Sequence, residues 1–251
     1  MMKRKFFLLL FLTIVFAVQS QTRVEFAEIC NGETNPRINI AWVHVHENEQ
    51  TALNAIKRLP STMPLCVATW KHLGSRNLKF TQEGKTFEID PNRIYSTAGV
   101  EATLKSLGNY SDSAAIVVKQ LGEFFIREYI ENRKVVIALH NNTPDGGLHV
   151  KSYLPGGPYA GEALDVYVNT RMDKDNFFYT TSPFFFHYLK ERDQNVVLQN
   201  EETVTDDGSL SVYCGLKGIP YLNIETEHSQ VEEQKRMIML AWYMLEDLGF
   251  I

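Results

Sequence analysis

Short apolar runs alternate with amphipathic stretches along most of the chain. Segments with apolar residues at helical spacing are Thr51–Leu59, Ser111–Ile130 and Gln230–Leu248. This alternation of strand and helix patterns predicts an α/β fold in a single domain. The apolar runs predicted to be strands are Ile38–Val45, Leu65–Thr69, Val135–Leu139, Val196–Leu198 and Tyr221–Ile224.

The first 21 residues have the pattern of a secretory signal peptide. A basic segment, Lys3–Lys5, precedes the apolar run Phe6–Val18, and small residues at 17 and 20 suit a cleavage site. The run is shorter than the roughly 20 residues of a membrane span, and no cysteine follows it to carry a lipid. We therefore expect a periplasmic or secreted protein with no stable membrane anchor after cleavage, whose folded domain is residues 22–251.

Composition narrows the choice of partners. The chain has 251 residues, is 44% hydrophobic and carries a formal net charge of −5. An acidic balance argues against nucleic acid as a partner, because nucleic acid favours a basic face. Three cysteines, Cys30, Cys66 and Cys214, allow one disulfide in an oxidising compartment, and the sequence does not say which pair forms it.

Three side chains at or beyond strand ends form a candidate metal site. His46 and Glu49 follow the first apolar strand, and His140 ends the strand that begins at Val135. In open α/β sheets, functional side chains collect beyond the carboxyl ends of strands. A single histidine there is often structural, but two histidines and one carboxylate leave a fourth position for water, which is typical of a catalytic zinc.

A late strand delivers a candidate general base. Glu225 follows the run Tyr221–Ile224 and suits a group that moves a proton between water and a leaving amine. Glu227, two residues along on the same face, is the rival. Both are also consistent with acids at the start of the last helix, where the helix dipole stabilises them.

The pair Asn92 and Arg93 is a candidate receptor for a substrate carboxylate. Arginine binds a carboxylate through two parallel hydrogen bonds, and asparagine adds a neutral one. After His140, a loop rich in glycine and proline is predicted to line the pocket, with Tyr153 and Tyr159 in its wall.

These motifs, in this order, resemble the zinc carboxypeptidase superfamily and, within it, the aspartoacylase and succinylglutamate desuccinylase branch. The resemblance implies a mixed, mostly parallel sheet with helices on both faces. It also implies that His46, Glu49 and His140 bind one Zn²⁺ and that Glu225 is the base. It further implies that Asn92, Arg93 and Asn141 contact substrate. The motifs that carry it are His46 to Thr51, Asp90 to Arg93, Leu139 to Thr143, and Glu225.

The chain departs from the family pattern at three places. Glu47 replaces a glycine of the first motif, which leaves His44 and Glu47 as a shifted alternative pair. Ala138 replaces an expected acid two residues before His140. The arginine that polarises the scissile carbonyl falls at Lys85 in this sequence. Arg76 is the alternative, and we favour it because a planar guanidinium suits an oxyanion better than a point charge.

The sequence therefore predicts an exported zinc amidohydrolase of carboxypeptidase type. It would cleave an amide bond near a free carboxylate, in a cell-wall peptide or another peptide. Two alternatives stay open: a deacylase of N-acyl amino acids, and a ligand-binding protein that keeps the fold without turnover.

Overall fold

The structure of the chain, a computed structural model, describes residues 24–32, 39–144 and 146–251. The predicted signal peptide, residues 1–21, lies outside this part, as does Ile38 at the start of the first predicted strand. Within the described ranges, no helix is both long enough and apolar enough to cross a bilayer.

Eight strands form one sheet in the order β1-β3-β2-β6-β10-β8-β9-β7. Its centre, β3-β2-β6-β10, is parallel, whereas β1 and β8 run antiparallel to their neighbours in this centre. Strands β4 and β5 form a separate hairpin. The strands are β1 Glu25–Asn31, β2 Ile40–His44, β3 Leu65–Lys71, β4 Leu78–Gln82, β5 Lys85–Ile89, β6 Val135–Asn142, β7 Ala163–Tyr167, β8 Phe177–Thr180, β9 Val196–Gln199 and β10 Tyr221–Glu227.

Helices cover both faces of the sheet. α1, α4 and α6 share one apolar core with it, and α2, α3 and α5 share the other. The predicted α/β class, with a mixed sheet between two helical layers, is confirmed. The α-helices are α1 Gln50–Ile56, α2 Thr97–Ser106, α3 Asp112–Phe125, α4 Pro183–Glu191, α5 Leu210–Leu216 and α6 Val231–Asp247.

Strand β6 is buried along its whole length. The alternation of its side chains between the two faces of the sheet decides which residues at its end reach the candidate metal site. Ile137 and Leu139 point to the core under α1 and α6, and Val136 and Ala138 point to the opposite core. Successive side chains of a strand face opposite sides. His140 therefore continues the row of Val136 and Ala138.

The structure supplies the cysteine pairing that the sequence left open. Cys30 and Cys66 are bonded across the antiparallel pair β1 and β3, where they are register partners. Cys214 is a buried free thiol on α5, and burial raises the pKa of this thiol. The one disulfide is of the kind expected in an oxidising compartment.

Candidate metal centre

Three side chains that are distant in sequence meet beyond the ends of β2 and β6. Nδ1 of His46 lies 2.9 Å from Oε1 of Glu49 and 3.2 Å from Nδ1 of His140. The other carboxylate oxygen of Glu49 lies 3.0 Å from Nδ1 of His140. All three residues are buried. The sequence-predicted triad therefore forms one cluster.

The donor set fits a zinc ion. Two ligand atoms at about 2.1 Å from zinc, separated by the tetrahedral angle, are about 3.4 Å apart. Here the two histidine Nδ1 atoms are 3.2 Å apart, and each lies 2.9 to 3.0 Å from a different oxygen of Glu49, so a small outward shift of each side chain would admit the ion. Two imidazoles and a carboxylate are also the donor types of catalytic zinc.

Asp90 completes the cluster from behind His46. Its Oδ1 lies 2.7 Å from Nε2 of His46 and also accepts a hydrogen bond from the backbone N–H of Asn92, at 2.8 Å. A carboxylate only accepts, so Nε2 of His46 carries a proton, and Nδ1 is the ring nitrogen that faces Glu49 and His140. Asp90 begins the motif that contains Asn92 and Arg93, but no local pattern in the sequence predicts its contact with His46.

The charges in the cluster are strongly coupled. Burial alone would lower the pKa of His46, but the carboxylates of Glu49 and Asp90 outweigh burial and raise this pKa to about 9. Burial alone would raise the pKa of Glu49, but His46 and His140 hold it well below the usual range. Without a metal, a proton shared among these groups balances the negative charge that a cation would neutralise.

Of the two candidates for polarising the carbonyl, only Arg76 faces the site. Its Nη1 lies 2.5 Å from Oε1 of Glu49, and its Nη2 lies 3.5 Å from Oδ2 of Asp90. Arg76 also lines a cavity beside His46 and His140, which we call the central cavity. Lys85 begins β5, is exposed and does not line this cavity. The hairpin of β4 and β5 accounts for the difference, because Lys85 stands at its turn, paired with Gln82.

Glu225 lines the same cavity as His46 and His140. It is buried, and Nδ2 of Asn223 donates a hydrogen bond to its Oε1 at 2.9 Å. Burial raises the pKa of Glu225, and the charge of Glu49 adds to the effect, while His140 opposes it. Asn223, which the sequence analysis did not single out, precedes Glu225 by two residues and so shares its face of β10.

Asn92 and Arg93 also line the cavity. Nη1 of Arg93 donates to the carbonyl of Asn92 at 2.8 Å, and its Nε lies 3.2 Å from Oδ2 of Asp207. These contacts use two of the five N–H donors of a guanidinium. The group is therefore held in place and keeps donors for an anionic partner.

A close contact of two glycines places Asn92 and Arg93. A Cβ on Gly99, at the start of α2, would lie 2.3 Å from Cα of Gly208 and 2.8 Å from the carbonyl oxygen of Arg93. Gly208 has a φ of +76°, which favours glycine. The loop that contains Gly208 can thus lie against the start of α2. Two residues after Gly208, the N–H of Leu210 donates a hydrogen bond to Oδ1 of Asn92 at 3.2 Å.

The central cavity has a volume of about 200 Å³. The predicted pocket-wall residues Tyr153 and Tyr159 do line it, beside Phe177 and Tyr179 of β8. Tyr153 contacts the other three rings, so the cavity combines an aromatic cluster with polar groups, as is usual in small-molecule sites.

Asn141 does not face this cavity. Its Oδ1 accepts from the N–H of Ala52, and its Nδ2 donates to Oε1 of Gln234 at 2.7 Å and to the carbonyl of Thr226. The strand alternation that brings His140 to the site turns Asn141 towards α1 and α6. The substrate contact predicted for Asn141 is therefore replaced by a structural one.

The shifted pair of His44 and Glu47 does not form. His44 is buried between Oγ1 of Thr69 and the carbonyl of Glu49, each 2.9 Å from a ring nitrogen. Burial lowers its pKa to about 4, so it is neutral. The carboxylate of Glu47 instead accepts hydrogen bonds from the backbone N–H groups of His72 and Gly74. Glu47 thus fixes the segment that leads to Arg76.

Solved structures similar to this chain share little sequence identity with it. No family model and no curated protein matches the sequence. A candidate metallopeptidase from Shewanella denitrificans has a similar structure over 91% of this chain and 80% of its own, at 11% identity and a TM-score of 0.41. Succinylglutamate desuccinylase/aspartoacylase from Rhodobacter sphaeroides matches 90% of this chain and 60% of its own, at 12% identity and a TM-score of 0.39.

The cell shape determinant protein Csd4 from Helicobacter pylori matches 90% of this chain, which spans 55% of Csd4, at 12% identity and a TM-score of 0.47. That protein is also known with a tripeptide bound. Identities this low and TM-scores below 0.5 do not assign a substrate or a reaction to this chain.

Proposed function

We propose that the protein is a zinc-dependent amidohydrolase of carboxypeptidase type. The observation that carries this proposal is the convergence of His46, Glu49 and His140 on one point, with Glu225 lining the same cavity. A structural zinc would have a fourth protein ligand, whereas three ligands beside a cavity leave a position open to water or substrate.

His46, Glu49 and His140 would hold the ion, with Asp90 fixing the ring of His46 through Nε2. Zinc bound there would polarise the scissile carbonyl and lower the pKa of a bound water. Side chains of the protein would transfer the proton, bind the substrate carboxylate and stabilise the carbonyl oxygen.

Glu225 would act as the general base and then as the general acid. It takes a proton from the attacking water as the new C–O bond forms at the carbonyl carbon. It passes that proton to the nitrogen as the C–N bond breaks, so the products are a carboxylic acid and a free amine. Asn223 holds the carboxylate of Glu225 in place through the 2.9 Å hydrogen bond.

Arg93 and Asn92 would select the substrate. A fixed guanidinium with unused donors suits a carboxylate, and its place in the cavity wall sets the distance from that carboxylate to the cleaved bond. Arg76, which contacts Glu49 of the metal cluster, would stabilise the charge that develops on the carbonyl oxygen. Peptides with a free C-terminus, cell-wall peptides among them, are the proposed substrates.

Metal analysis and product analysis test this proposal together. Purified protein should contain one zinc and release a C-terminal residue from short peptides. Glu225→Gln should keep the zinc and lose about 10²–10⁴-fold in kcat. His187→Ala, on the exposed side of α4, serves as a control and should change neither the zinc content nor kcat.

The other outcomes point to the two alternatives. Cleavage of N-acyl amino acids in preference to peptides would identify a deacylase that uses the same residues. A protein that retains no zinc and binds peptides without cleaving them would be a ligand-binding protein, and the hydrolase proposal would be wrong.

We further propose that the protein is exported. The basic and apolar pattern of residues 1–21 supports this, and so does the disulfide between Cys30 and Cys66. Expression of the full chain followed by cell fractionation tests it. The mature protein should lack the first 21 residues and leave the cytoplasm, and an uncleaved cytoplasmic product would contradict export.

A further inference from the structure

A second cluster of oxygen donors lies close to the proposed zinc site, at the end of β10 and in the loop that precedes β8. Carboxylate oxygens of Asp173, Asp175 and Glu227 all lie within 4.8 Å of one another. Glu227 follows Glu225 by two residues on β10 and is the register partner of Asn142 on β6. Two residues of a strand span about 6.6 Å, so the cluster is a separate site close to the first.

Two buried oxygens at this cluster lack hydrogen-bond donors within the described residues. Asp175 is 2% exposed and Asn142 is 8% exposed, and Oδ1 of each has no partner there. Nδ2 of Asn142 donates to the backbone carbonyl of Asp175 at 2.6 Å. The amide group of Asn142 therefore lies against Asp175, and Asn142 stands beside Glu227 in the register of β6 and β10.

An unpaired buried oxygen is unfavourable. A buried polar group without a partner costs about 1–3 kcal/mol, and a charged group costs more. Here one buried carboxylate and one buried amide oxygen stand beside two further carboxylates. A cation at this point would satisfy the unpaired oxygens of Asp175 and Asn142, while Glu227 also accepts a hydrogen bond from Nε2 of Gln230.

We infer that this cluster binds a calcium-type cation through Asp173, Asp175, Glu227 and the side-chain oxygen of Asn142. All four donors are oxygens, which hard cations prefer, and none is the imidazole or thiolate that favours zinc. The carboxylate oxygens of the three acids are near enough to one another to approach a single cation.

The cation would join parts of the fold that are separate in sequence. Asp173 and Asp175 belong to the loop that leads into β8, whereas Asn142 and Glu227 end β6 and β10. Phe177 and Tyr179 of β8 line the central cavity. Calcium would therefore fix the entry to β8 against the two strands that carry His140 and Glu225. This inference does not depend on the proposed hydrolase activity.

Calcium titration of the full chain tests the site. The protein is stripped of metal, returned to one equivalent of zinc, and titrated with CaCl₂ to about 10 mM, since extracellular calcium modules bind with a Kd of about 10⁻⁴–10⁻³ M. We expect saturable binding by calorimetry and a calcium-dependent rise in Tm. Asp173→Asn and Asp175→Asn should each weaken binding roughly tenfold or more, because each removes one negative ligand.

Controls separate this site from the zinc site and from misfolding. Glu49→Gln disables the first cluster and should leave the calcium response intact, as should Glu191→Gln at the exposed end of α4. Asp173 is exposed, so Asp173→Asn gives a folded variant even where Asp175→Asn does not fold.

Three results would overturn the inference. The first is an unchanged Tm across the calcium range. The second is an equal calcium response in wild type and Asp173→Asn. The third is a lower Tm in Lys174→Met together with no effect of calcium on the Tm. The ammonium group of Lys174 would then be the charge that neutralises the carboxylates.

Discussion

Glu225 and His140 stand directly opposite each other in the parallel pair of β10 and β6. Both side chains line one cavity, so the proposed base and one proposed metal ligand are placed by the same sheet register. A shift of one residue in this register would turn one of them to the other face of the sheet. The central parallel strands therefore fix the geometry of the site more tightly than loops would.

Removing the carboxylate behind His46 should weaken zinc binding. In Asp90→Asn, Nε2 of His46 loses a charged acceptor at 2.7 Å, and the ring is less firmly oriented. Loss of such an outer partner typically costs about 10–100-fold in metal affinity or activity. Competition with a chromophoric chelator measures the affinity. Asp112→Asn, at the exposed first residue of α3, is the control, and equal zinc affinity in both variants would contradict the role of Asp90.

Glu225 should destabilise the metal-free protein at neutral pH. Its folded pKa lies above that of an exposed glutamate, so the folded state binds the extra proton and stability falls as the pH rises through this interval. Glu225→Gln cannot ionise and should escape this fall. The Tm of Glu225→Gln should exceed that of wild type at pH 7 in chelator, and the difference should shrink below the ordinary glutamate pKa. A constant difference across this pH range would show that Glu225 is not the cause.

Arg93 should act on substrate binding rather than on the chemical step. Arg93→Lys replaces a planar fork with a point charge, so KM should rise about tenfold or more for peptides with a free C-terminus. For C-terminally amidated peptides the variant and wild type should be alike. Lys85→Ala is the matched control, because Lys85 lies outside the cavity. This variant should leave KM unchanged for both classes of peptide. An effect of Lys85→Ala as large as that of Arg93→Lys would contradict this assignment.

The contact between Gly99 and Gly208 should tolerate no side chain. Gly99→Ala places a methyl group against Cα of Gly208 and the carbonyl of Arg93, which should cost about 1–3 kcal/mol in the free energy of unfolding. KM for free-acid peptides should rise as well, since the displaced loop holds Asn92. Urea unfolding measures the first effect. Gly161→Ala, where a Cβ meets nothing within 4 Å, should be neutral.

The metal cluster could be predicted from the sequence because it depends on strand ends. His46 and His140 follow apolar runs that become parallel neighbours, and the carboxyl ends of such strands lie at one edge of the sheet. The place of Glu225 in the cavity is predictable for the same reason, as it lies near the carboxyl end of β10, the next strand along in the sheet. The predicted strands also end where the polar site residues begin, although β6 and β10 each continue past the predicted boundary by three residues.

Other features required distances that no local pattern carries. The contact of Asp90 with His46 spans 44 positions, and the disulfide depends on the register of β1 with β3. Asn141 could have been placed correctly, because strand alternation alone puts it opposite His140. Lys85 could not, because its position depends on the hairpin of β4 and β5, whose short strands are weakly apolar.

Glu47 has a consequence for engineering. It occupies the position where the resembling family has glycine, and its carboxylate ties the metal-binding turn to the backbone of His72 and Gly74. The turn that contains Glu47 and the segment from His72 to Arg76 are thus held together as one structural unit. A graft that imports a glycine turn from a relative would leave that segment untethered, so the two pieces would have to be transplanted together.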